Sequence, residues 1–120
     1  MITSKYFTEN EFRMASPQCS LQNMSQEFMD KLGRTREIAK IPFIINSAYR
    51  TEAHEKKMGR SGNSAHTEGC AADIKALDGR SKYLIVDAAI KAGFNRIGIN
   101  ANFIHLDNSK KLEPCVVFTY

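Results

Sequence analysis

The sequence predicts an α+β domain with helices packed on one face of a mainly antiparallel sheet. Three observations lead there. Apolar residues at helical spacing dominate the first part of the chain, short β-rich segments cluster late, and the late connections are of hairpin length. Strict β-α-β alternation is absent, and no GxGxxG or Walker sequence appears, which excludes a Rossmann-type nucleotide fold. A chain of 120 residues has room for one ordinary core, so residues 1–120 are read as a single domain.

Thr8-Glu9-Asn10-Glu11 reads as a capping box that opens a short helix carrying Phe12 and Met14, and Ser16-Pro17 stops it. Ser25 is placed as the N-cap of a longer helix. Its apolar residues Phe28, Met29, Leu32, Ile38 and Ala39 recur at spacings of three and four until Pro42 ends it. Phe43-Ile44-Ile45-Asn46-Ser47 is β-branched and aromatic, a strand. Residues 51–58 read as a short polar helix closed by Gly59, followed by a loop over 60–63. Small residues from Gly69 to Ala76 read as a strand, and residues 81–92 as a helix with Gly93 at its C-terminal cap. Three strands close the chain, over 96–99, 103–107 and 114–118. They are joined by Asn100-Ala101-Asn102 and by a second connection over 108–113.

Composition narrows the function classes. Apolar residues make up 42% and charged residues 25%, which is globular rather than disordered. The net charge of +4 favours anionic surroundings only mildly. Basic residues alternate with acidic ones, and no nucleic-acid-binding motif is present, so a nucleic-acid partner is not expected. No apolar run approaches the roughly 18 residues of a membrane span, and no secretory signal is visible at the start. Cys19, Cys70 and Cys115 form an odd set without a CxxC pair, read as reduced cysteines rather than a disulfide framework.

The candidate chemistry lies at two of the three histidines. In Ser64-Ala65-His66-Thr67-Glu68-Gly69-Cys70-Ala71-Ala72-Asp73-Ile74, a loop runs into a strand of small residues. Asp73 there shares a face with Ala71 and Lys75, and a carboxylate in such a strand needs a cation or donors. In Phe103-Ile104-His105-Leu106-Asp107, alternation puts Phe103, His105 and Asp107 on one face. Asp107 can therefore orient the imidazole of His105. His66, Asp73 and His105 together make a chemically sensible site for zinc, with one coordination position left for water. Two imidazoles and a carboxylate also accept other divalent ions, iron included. A lone histidine seven residues before an aspartate, as His66 is before Asp73, is a weak signal by itself, and His105 taken alone is also compatible with a satisfied core or surface histidine. Arg50, at the end of Asn46-Ser47-Ala48-Tyr49-Arg50, is placed to present a guanidinium to a carboxylate or a developing oxyanion. His54, between Glu52 and Glu55, reads as an exposed helical histidine.

Taken in order, Ser47-Ala48-Tyr49-Arg50, Ser64-Ala65-His66 through Asp73, and Phe103-Ile104-His105-Leu106-Asp107 resemble the M15 zinc peptidases of the D-Ala-D-Ala carboxypeptidase type. Tyr6-Phe7-Thr8-Glu9-Asn10-Glu11-Phe12 resembles the family's opening, so the likeness spans nearly the whole chain. The resemblance implies a Hedgehog/DD-peptidase-like fold and zinc-dependent cleavage of bonds involving D-amino acids in peptidoglycan stem peptides. It implies His66, Asp73 and His105 as zinc ligands and Arg50 as the residue holding a substrate carboxylate or carbonyl oxygen. It further implies Ser64 as a supporting hydrogen-bond partner and Asp107 as a residue orienting a ligand histidine.

One position departs from the pattern. Several branches of the family carry a catalytic carboxylate three residues before the last histidine, where this chain has Asn102, which cannot act as a base at neutral pH. Asp107 and Glu68 are the nearest carboxylates in sequence. Two functions therefore remain from the sequence, a peptidoglycan peptidase and a catalytically weak zinc-retaining module that binds D-Ala termini or a protein partner. The expected setting is a monomeric phage or prophage lysis product, made in the cytoplasm and acting on the cell wall after release.

Overall fold

The computed structural model describes residues 1–15, 20–50, 53, 57 and 65–120. Its elements run α1 (Glu9–Ala15), a 3₁₀ turn (Leu21–Asn23), α2 (Gln26–Ala39), β1 (Ile45–Ser47), β2 (Ala71–Lys75), α3 (Gly79–Ala92), β3 (Arg96–Ile99), β4 (Phe103–Asp107) and β5 (Val116–Thr119). The fold is α+β, as the sequence predicts. The helix and loop expected over 51–63, with His54 and Ser64, and also Cys19, lie outside the described residues except at positions 53 and 57.

The caps form where the sequence places them. The Ser25 hydroxyl accepts the Phe28 amide at 3.2 Å, and Gly93 closes α3 at φ 103°. α2 ends at Ala39, three residues before Pro42, and Lys40 caps it in a left-handed conformation at φ 59°. The 3₁₀ turn was not expected. It is a capping box in which Ser20 and Asn23 satisfy each other's backbone.

The sheet order is β1-β2-β4-β3-β5. Every pair is antiparallel except β3 with β5, which is parallel. The hairpin expected between β4 and the last strand is therefore corrected. β4 already has β2 on one side and β3 on the other, so no edge of it is left to pair. The chain after Asp107 instead crosses to the free edge of β3.

Strand alternation separates core from site. Ala72, Ile74, Ile97, Ile104 and Leu106 point to one face and are almost completely buried with Phe28, Met29 and Leu32 of α2 and Ile85, Ala88 and Ala89 of α3. The other face carries Asp73, His105 and Asp107. Register aligns one row across all five strands, Ser47–Asp73–His105–Gly98–Phe118. The neighbouring row, Ala71–Asp107–Arg96–Val116, lies two residues along each strand on the same face.

Candidate metal centre

Asp73 and His105 are direct register partners on β2 and β4, so their side chains rise together from the sheet. His66 arrives from the turn over 65–69 that precedes β2. That turn is fixed from two sides. The Ser25 amide at the start of α2 donates to the Gly69 carbonyl at 2.8 Å, and the Arg50 amide donates to the His66 carbonyl at 3.2 Å. Gly69 sits at φ +72°, where a side chain's Cβ would lie 2.2 Å from the Asn23 carbonyl oxygen. Only glycine meets both conditions.

The three groups converge. Asp73 Oδ1 lies 2.9 Å from His105 Nδ1 and 3.4 Å from His66 Nε2. One ligand atom from each residue falls within 4.8 Å of the others, and all three residues are buried. Two atoms bound to zinc at about 2.0–2.1 Å and a tetrahedral angle stand about 3.3 Å apart, and the two distances from Asp73 to the histidines lie close to that.

The outer ring nitrogens explain why the inner ones face inward. His66 Nδ1 lies 2.6 Å from the Ala48 carbonyl oxygen, which can only accept, so this nitrogen carries a proton. His105 Nε2 lies 2.6 Å from Asp107 Oδ2, which likewise accepts. In the neutral imidazoles both remaining lone pairs then point at the same oxygen of Asp73. Such a cluster is stable only with a cation among the three or with extra protons on the rings.

The electrostatics agree. Burial pushes the Asp73 carboxyl up, but hydrogen bonds from His105 and His66, with their charge, hold it well below the ordinary carboxylate range. Burial pushes the His105 imidazole down, and its bonds to Asp107 and Asp73 outweigh that and raise it. Asp107 also experiences an upward push from burial. The bond to His105 and its charge, the Ser109 amide and the Arg96 guanidinium lower it overall.

The remaining candidates fall around this centre. Asp107 is fully buried behind His105, on the ring nitrogen that faces away from Asp73. It also accepts from Arg96 Nε at 2.8 Å and the Ser109 amide at 3.1 Å. Arg50 is half-buried, and its guanidinium donates to Ser47 Oγ at 3.0 Å, next to Asp73 in the cross-strand row. Glu68 accepts from Ser109 Oγ at 2.9 Å, an anchor for the chain after β4. Asn102 is exposed in the β3–β4 turn, where its amide donates to Asn100 Oδ1 and its carbonyl accepts from Ala76. Cys70 faces away from the centre, and burial pushes its thiol up to about 12, far from thiolate chemistry.

Sequence reasoning missed Arg96, Ser109, Gly98 and the Ala48 carbonyl. Arg96, Gly98 and the Ala48 carbonyl meet the site across strands or loops distant in sequence, where no local pattern marks them, and Ser109 acts through its backbone amide two residues after Asp107, which its residue type does not announce.

A family profile described as Peptidase M15 matches residues 5–107. Comparison with curated proteins gives no match.

Proposed function

Because this chain belongs to the M15 peptidase family, a family of metallopeptidases, we propose that it is a zinc peptidase that cuts bonds involving D-amino acids in peptidoglycan stem peptides. The action is that of a D-Ala-D-Ala carboxypeptidase or an endolysin-type endopeptidase. The observation that carries this reading is the convergence of His66, Asp73 and His105 on one buried point.

These three residues would hold the ion, which when bound would supply Lewis acidity toward a water and the scissile carbonyl. Ala48 and Asp107 fix the proton of each imidazole on its outer nitrogen, which keeps the inner nitrogens available as ligands. Arg50, steadied by Ser47, offers its guanidinium to the terminal carboxylate of a stem peptide or to the oxygen that gains charge during attack. For Ser64, which lies outside the described residues, a supporting role is assigned from the family resemblance alone. Asp107 serves as a positioning residue, because its carboxylate is spent on His105, Arg96 and Ser109. The protein acts as a monomer of phage or prophage origin, made in the cytoplasm and reaching the wall after release.

A second reading has one observation in its favour. Asn102 stands exposed where family branches carry a catalytic carboxylate, and Glu68 is tied to Ser109. A zinc-retaining module that binds D-Ala termini with little turnover fits that feature. Metal analysis paired with a mass-spectrometric digest of purified peptidoglycan separates the two. About one zinc per chain, with stem fragments released and the release stopped by a chelator, is the expected result. Retained zinc and bound stem peptide without fragments would favour the module. Full cleavage by chelated protein would overturn both.

A further inference from the structure

The matched family segment ends at Asp107, yet the strand beyond it reaches the metal centre. β5 lies parallel to β3, and register sets Phe118 beside Gly98, which in turn is opposite His105. The Phe118 ring stands 5.6 Å from the His105 ring, centroid to centroid. Its seat is the bare backbone of Gly98. A Cβ there would lie 2.4 Å from Phe118 Cε2 and 3.1 Å from His105 Cβ. On the next row, the Arg96 guanidinium lies 5.6 Å from the Phe118 centroid while its Nε donates to Asp107. Phe118 thus touches both the ligand histidine and the arginine that holds that histidine's carboxylate partner.

We propose that Phe118 is a positioning residue of the metal centre, with Gly98 as its seat, and that β5 forms the wall against which His105 is held. The inference rests on the metal-centre reading. His105 meets Asp107 through Nε2 and Asp73 through Nδ1, but contacts made in the plane of the ring leave it free to rock about the axis that joins them. A flat aromatic surface beside it limits the rocking and keeps Nδ1 aimed at Asp73. The same ring confines Arg96, so removing it loosens both supports of His105 together. Val117, on the same strand, is 61% exposed and points away, so it makes none of these contacts.

The test is titration of the chelator-treated full chain with cobalt(II) alone, following the visible d–d bands and the dissociation constant. Phe118→Leu keeps apolar volume without the flat ring, and is expected to weaken cobalt binding about tenfold and shift the bands. Phe118→Tyr restores both, and Val117→Ala changes neither. Gly98→Ala leaves Phe118 in the sequence but takes its seat, and is expected to reproduce the Phe118→Leu spectrum. It serves as the independent variant should Phe118→Leu fail to fold. Wild-type affinity and bands in both Phe118→Leu and Gly98→Ala would overturn the proposal while leaving the metal centre intact. Failure of the wild-type chain to bind cobalt would overturn the metal-centre reading and this inference with it.

Discussion

His105 makes contact through both ring nitrogens, at 2.9 Å to Asp73 and 2.6 Å to Asp107, and most residue-scale consequences follow from that. Asp73→Asn removes the charge that two imidazoles share. It should drop bound zinc from about one per chain to near none, as measured by elemental analysis of the purified variant. Asp107→Asn keeps the shape but lets the wrong proton face His105, so zinc affinity should fall about 10–100-fold in a chelator competition. The pH dependence follows from two signs. The raised His105 value means that its protonation stabilises the metal-free fold below the ordinary imidazole value of about 6.5, and this contribution is lost as pH rises through the raised value. The lowered Asp73 and Asp107 values contribute above about 3.9 and are lost only in stronger acid. Zinc needs His105 without its inner proton, so it competes with that stabilisation. The gap in Tm between zinc-loaded and chelated protein should therefore widen from pH 5.5 to pH 8, and a constant gap across a thermal-shift pH series would refute the coupling.

Among the elements, the N-terminus of α2 links core to site. Ser25 caps the helix with its side chain and donates its own amide to Gly69, three residues after His66. Ser25→Ala should cost about 1 kcal/mol in denaturant unfolding, the usual loss for a serine cap. Gly69→Ala should cost more, about 1–3 kcal/mol, because it combines φ +72° with a collision against the Asn23 carbonyl. Because the turn carries His66, that variant should also lose zinc affinity, whereas Ser25→Ala should keep most of it. Equal affinity in the two variants would show that the turn does not set the ligand. The β1–β2 pair is irregular between Ile45 and Ser47, yet it still delivers Ser47 to Asp73. That places the Arg50 guanidinium at the site end of a very short strand.

At the scale of the whole molecule, the centre joins three parts of the chain, the turn before β2, β2 itself and β4. An ion bound there stabilises the folded state by mass action, about 2.7 kcal/mol at a hundredfold excess over Kd. For a domain of this size, chelated protein given that zinc excess should gain roughly 5–15 °C in Tm. The sequence by itself determined α1, α2 and α3 with their caps and the face that β2 and β4 bury, and it nominated His66, Asp73 and His105 as a metal-binding set. The elements depend on period, local chemistry and side-chain alternation, all carried by neighbouring residues. Only the tertiary structure decided that the last strand pairs in parallel with β3, because whether an edge is free depends on every other pairing in the sheet. It alone brought Arg96 to Asp107, Ala48 to His66 and Phe118 to His105. Those contacts join residues 11 to 18 positions apart, and a row across five strands is written nowhere along the chain.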